Sequence, residues 1–107
     1  MKDEEVSLEL MQKGLQKSWG LEFIGDEIDE NAVKILLQNH LQELLASDFE
    51  RLVQAMYRLD VAETKFAAAI SAGSLESQAQ KLAELVWQRE LQRIAFRLRY
   101  QQQTKPS

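Results

Sequence analysis

The segment MYRLDVAETKF, residues 56 to 66, lies inside a long run of helix-forming residues, yet it carries two carboxylates three positions apart, Asp60 and Glu63. If one helix ran from Asp48 to Ala72, Leu52, Met56, Leu59, Phe66 and Ile70 would form its apolar stripe and Glu63 would fall on the buried seam. An unpaired carboxylate is costly there. The chain is therefore expected to bend or restart at Leu59 to Asp60. Asp60 would then be the N-cap of the second piece, and Glu63, as its third residue, would reach back to the Asp60 N–H in a D-x-x-E capping box. Such a cap contributes about 1 kcal/mol, and both acids suit the positive end of a helix dipole.

The same two carboxylates could serve a metal or act as an acid/base pair, since residues three apart share a helical face. A catalytic metal needs more ligands, usually including imidazole. The one histidine of the chain is His40, in the order HLQE with Glu43. Helical di-iron sites use the opposite order, Glu-x-x-His, on two helices. Here it is reversed and single, so capping is the preferred reading and no metal or other cofactor is expected. His40 follows Val33 by seven residues, at the edge of a leucine stripe, where a core-edge residue with one hydrogen bond is expected. There is no nucleophile-elbow glycine pattern and no glycine-rich phosphate loop. No catalytic residue is assigned, and a non-enzymatic protein is expected.

Outward from the joint, the helical signals continue on both sides. Upstream, Asp29 is placed to cap a helix to about Ala46 whose core face is Val33, Leu36, Leu37, Leu41, Leu44 and Leu45. Ser47 with Glu50 reads as the next capping box, opening a helix near Asp48 with Phe49, Leu52, Val53, Met56 and Leu59 turned inward. Further upstream, Leu8, Met11, Leu15 and Trp19 recur at helical spacing and predict a helix from about Asp3 to Ser18. Gly14 weakens it, and Val6, Leu8 and Leu10 also alternate as a strand would. WGLEFIGDEIDEN has no helical period and is a connection whose Trp19, Leu21, Phe23 and Ile24 tuck onto the core. Downstream, Gly73 is the expected left-handed terminus of the helix through Ile70. The last helix is then capped by Ser74 or Ser77, with Ser77 and Gln80 the better box, and runs to about Gln101.

Composition agrees with an all-helical chain. Among 107 residues there are four glycines, one proline and no cysteine, 45% are hydrophobic and 28% charged. That length fits one domain, and the scarcity of chain-breakers suits helices. Without cysteine there are no disulfides or thiolate sites, as in a reducing compartment. No apolar run approaches the roughly 18 residues of a membrane span, and the acidic start MKDEEVSLEL is unlike a signal peptide. A cytoplasmic protein is expected. The net charge of −4 is divided unevenly: residues 1–80 hold 7 Lys/Arg and 15 Asp/Glu, whereas residues 81–107 hold 6 and 2.

The last helix carries the basic excess and two apolar faces. Ala83, Trp87, Leu91, Ile94 and Leu98 form one stripe; Leu85, Phe96 and Tyr100 lie roughly opposite, with Arg89 and Arg93 beside them. The commoner arrangement is a central helix whose second face is covered by the N-terminal helix or arm. The alternative is an interaction surface formed by Leu85, Arg89, Arg93, Phe96 and Tyr100, since aromatic and arginine residues dominate contact energetics. A homodimer through this helix is the simplest form, with a helical protein partner as its variant. Arg89, Arg93 and Arg97, at i, i+4 and i+8 beside stackable rings, also suggest nucleic-acid binding. Net acidity, Glu84 and Glu90 on the same helix, and the missing helix-turn-helix signature make that partner disfavoured.

The segments YRLDVAETKF and WQRELQRIAFRLRY resemble small all-helical bacterial proteins of uncharacterised function, in which a Tyr-Arg-(Ile/Leu)-Asp-Val turn precedes a long Arg/Gln-rich last helix. The resemblance covers the chain from Ala32 onward. It implies an all-α fold and no activity, substrate or site residues. The sequence as a whole predicts an up-and-down bundle of four to five helices, or three long ones plus an N-terminal arm. Residues 1–28 form the N-terminal helix and arm, 29–101 the helical core and 102–107 a frayed tail.

Overall fold

Short polar side chains start most of the helices. The computed structural model describes residues 6 to 23 and 29 to 104, with side chains as far as Gln101. Among them are five helices: α1 (Leu8–Trp19), α2 (Glu30–Ser47), α3 (Phe49–Leu59), α4 (Glu63–Ile70) and α5 (Leu75–Thr104). Ser7 accepts the Leu10 N–H at 3.2 Å, Asp29 accepts that of Ala32 at 2.9 Å, and Asp48 that of Arg51 at 3.3 Å. Ser74 accepts the Ser77 N–H at 3.0 Å. Each bond satisfies one of the donors that a helix leaves open in its first turn.

Several of these starts correct the sequence reading. Ser47 is the last residue of α2, its hydroxyl donating back to the Glu43 carbonyl at 2.8 Å, so Asp48 caps α3 and the Ser47/Glu50 box does not form. Ser74, not Ser77, caps α5. Gly73 is not left-handed; α4 passes through Ser71 in a right-handed conformation. Among the described residues the left-handed glycine is Gly20, at φ 72, whose N–H bonds the Gln16 carbonyl at 2.8 Å and ends α1. α1 begins at Leu8, and the expected turn from Asp3 falls mostly on residues 1–5, outside the described residues, as does Ile24. α5 extends to Thr104, three residues past the expected end near Gln101.

The expected joint is present, with a different chemistry. Asp60 adopts φ 65, ψ 46, the one non-glycine residue at positive φ among those described. Its N–H bonds the Tyr57 carbonyl at 3.0 Å, and the Val61 N–H bonds that of Met56 at 3.2 Å. This pair is the Schellman termination, with aspartate in the position glycine usually takes. Asp60 therefore ends α3 instead of starting α4. The Asp60/Glu63 capping box does not exist: α4 begins at Glu63 behind Ala62, which offers no side-chain cap.

The long α5, about 45 Å at 1.5 Å per residue, packs against α1, α2, α3 and α4 in an up-and-down arrangement whose longest dimension is 52 Å. The core gathers Met11 and Leu15 of α1, Leu37 and Leu41 of α2, Leu52 and Met56 of α3, and Leu82 and Val86 of α5. Two expected core positions of α3 are instead exposed, Phe49 and Val53, as is Leu36 of α2. Phe49 stacks on the partly buried Phe66 of α4, centroids 6.2 Å apart, at the bundle's surface. Leu52, Met56 and Leu59 form the buried stripe of α3; on the helix wheel Phe49 lies about 50° and Val53 about 90° to one side of its centre. Among the described residues, no helix is long and apolar enough to cross a membrane.

Candidate interaction surface

The C-terminal half of α5 is where sequence and structure together leave apolar rings uncovered. α4 has only eight residues and accompanies α5 back from the tight turn at residues 71–74, so its cover ends at its own first turn, beside Leu85 and Arg89. On the other side α1 lies over Glu90 and Ile94. Between these two covers Phe96 and Tyr100 emerge 66% and 57% exposed, their rings stacked at 6.5 Å and 18°. Leu85 is half-buried against the start of α4.

The two arginines of the predicted surface are engaged within the chain. Arg89 Nε donates to the Leu59 carbonyl at 2.9 Å, Nη1 to Gln92 Oε1 at 3.3 Å, and Nη2 lies 3.5 Å from Asp60 Oδ2. The guanidinium thus sits at the C-terminal end of α3, where an unsatisfied carbonyl and the helix dipole both favour a cation. The Asp60 carboxylate is 88% exposed, so that ion pair adds little. Arg93 Nη1 stands 3.9 Å from Glu90 Oε2.

Glu90 is the residue that sequence reasoning missed. Weighed with Glu84 only as an acid opposing nucleic-acid binding, it is 1% exposed, beneath α1. Ser18 Oγ donates to Glu90 Oε2 at 2.6 Å. Gly14, which weakened the helical reading of α1, passes directly over the other oxygen: a Cβ there would lie 2.9 Å from Glu90 Oε1. The missing side chain is what lets α1 approach. A Gly and a Ser four residues apart in a helix share a face, and this is the one sequence signal that could have pointed to a close, polar helix contact.

Arg89, Arg93, Phe96 and Arg99 line one surface depression of about 530 Å³. A second adjoins it, where Leu85 and Arg89 meet Asp60, Val61, Ala62 and Lys65 of the joint. The five predicted residues are thus brought to one side of α5, with Arg89 shared by both depressions and Tyr100 reached through its stack on Phe96. Among the described residues no group of three or more metal-ligating side chains comes together. His40 lies apart, edge-on to Trp19 at 6.3 Å, and burial holds its pKa below the usual 6.5, with Glu43 opposing and Arg51 adding to the shift. The chain matches no family model, no curated protein and no solved structure.

Proposed function

We propose that this chain is a small non-enzymatic interaction domain that associates with a second copy of itself through the C-terminal half of α5. The observation carrying the reading is the exposed Phe96–Tyr100 stack beyond the end of α4, flanked by arginines and continuous with half-buried Leu85. Rigid aromatic surface beside guanidinium groups is the combination most enriched at energetic centres of protein interfaces. A two-copy assembly is its simplest form.

The test is sedimentation velocity or light scattering at micromolar concentration, on the parent chain and on a Phe96→Ser/Tyr100→Ser variant with matched helix content. A mass above one copy that falls to one copy in the variant supports the reading; a monomeric parent overturns it. Nucleic acid is the weaker partner, since Arg89 and Arg93 already answer to Asp60 and Glu90. Retardation of labelled RNA or DNA at low salt, lost in Arg93→Glu, would reverse that order.

A further inference from the structure

A second uncovered apolar row lies on a different helix from the α5 rings. Phe49, Val53 and Tyr57 of α3 recur every fourth residue and all three are exposed, Tyr57 to 81%. On the helix wheel each is turned about 40° from the one before, away from the buried Leu52, Met56 and Leu59. Phe66 of α4, stacked on Phe49 at 6.2 Å, widens the row at one end. Single apolar residues at a surface are ordinary; a row of three, two of them aromatic, is a contact surface. Rows at i, i+4 and i+8 are also the ridges through which helices most often interlock.

Charge identifies what covers this row. Beside it, at the same spacing, run Glu50, Gln54 and Arg58, all exposed, with the acid at one end and the base at the other. Neither Glu50 nor Arg58 has an ion pair among the described residues. A second α3 laid antiparallel on the first sets Val53 against Val53 and Phe49 against Tyr57 of the other copy. In that orientation flanking rows of the same kind also meet, so Glu50 faces Arg58 of the other copy twice and Gln54 faces Gln54. A parallel pair would oppose Glu50 to Glu50 and Arg58 to Arg58, which costs affinity. The face is therefore complementary to itself under one two-fold rotation, apolar to apolar and acid to base.

We infer that α3 is a second self-contact of this chain, an antiparallel α3–α3 pairing centred on Val53. The eleven residues of α3 span about 16 Å at 1.5 Å per residue. That is short for a standard interface of roughly 1,200–2,000 Å², so the contact is weak between free copies and forms at higher concentration than the pairing through α5. A chain with two different two-fold contacts assembles beyond a pair.

The chain has no cysteine, so full-length single-cysteine variants report the contact directly. At about 200 μM, Val53→Cys, on the two-fold axis, is expected to form a disulfide-linked dimer at least tenfold faster than Lys81→Cys on α5, an exposed control. Equal rates overturn the contact. Arg58→Glu sets acid against acid twice and should slow the Val53→Cys cross-link about fivefold at low salt, and adding Glu50→Arg should restore it. A double variant as slow as Arg58→Glu overturns the antiparallel pairing. The same cross-link is expected in the Phe96→Ser/Tyr100→Ser background, so the two faces fail separately. A chain that cross-links at Val53 yet is monomeric at micromolar concentration overturns the α5 reading alone; one that dimerises but does not cross-link overturns the α3 contact alone.

Discussion

Gly14 of α1 lies directly over Glu90 of α5, so closely that a Cβ would stand 2.9 Å from Oε1, while Ser18 one turn on donates to Oε2 at 2.6 Å. The carboxyl group is held from two sides by one helix. Alanine at position 14 gains about 1 kcal/mol of helix propensity, but the carboxyl group is buried and cannot swing away without losing Ser18. Gly14→Ala is expected to lower stability by about 1 kcal/mol, the packing penalty exceeding the gain. In a Glu90→Ala background the obstacle is gone, and the same substitution should raise stability by about 0.5–1 kcal/mol. Urea unfolding of the four variants checks the change of sign.

Ser18→Ala removes the hydroxyl and leaves Glu90 with its longer contact to Arg93. Loss of a hydrogen bond to a buried carboxyl group costs about 1–3 kcal/mol. The loss should appear in thermal melts, and amide exchange should accelerate first in α1, the helix released, before the α2 and α5 core.

At the α3–α4 joint, Asp60 occupies the left-handed region at φ 65. Asp60→Gly removes the conformational cost and one weak, exposed ion pair, so stability should change by less than about 1 kcal/mol. Asp60→Val places a β-branched residue there and should cost about 1–2 kcal/mol. Equal effects of the two substitutions in denaturant melts would show that the left-handed turn is not what position 60 supplies.

Arg89 ties the same joint to α5 through the Leu59 carbonyl at 2.9 Å and the Asp60 carboxylate at 3.5 Å. A lysine keeps the charge but not the fork that reaches two acceptors. Arg89→Lys should therefore lose most of what Arg89→Met loses, about 1 kcal/mol, as read by chemical denaturation.

His40 supplies a pH dependence of known sign. Its pKa in the folded chain lies below 6.5, chiefly through burial, so between the folded and unfolded values the unfolded state binds more protons. Stability from this group is complete above pH 6.5 and falls as pH drops below it. Carboxylates titrate lower, so the measurement is the difference between the parent and His40→Gln. The parent should lose more stability than the variant between pH 7 and pH 5; parallel curves would remove His40 as the cause.

The sequence by itself determined the helices and the start of α2, while the caps preferred for α3, α4 and α5 proved to be other residues. Periodicity placed Val33, Leu37, Leu41 and Leu44 on one buried face, Asp29 marked the start of α2, and the expense of burying Glu63 required a break after Leu59. These are local matters, decided by spacing and by backbone donors within a turn. Tertiary structure decided what local signals left equivalent. Asp60 can cap the helix after it or end the one before it; the Schellman bonds, with Arg89 arriving from thirty residues away, select the second. Phe49 and Val53 follow the apolar pattern of α3 yet stay at the surface, to one side of the buried Leu52, Met56 and Leu59 stripe. Glu90 reads as a solvated acid until α1 is laid across it, and Gly14 reads as a weakness until the same contact shows why no larger residue fits. Burial depends on which faces meet, and a single chain written in order does not record that.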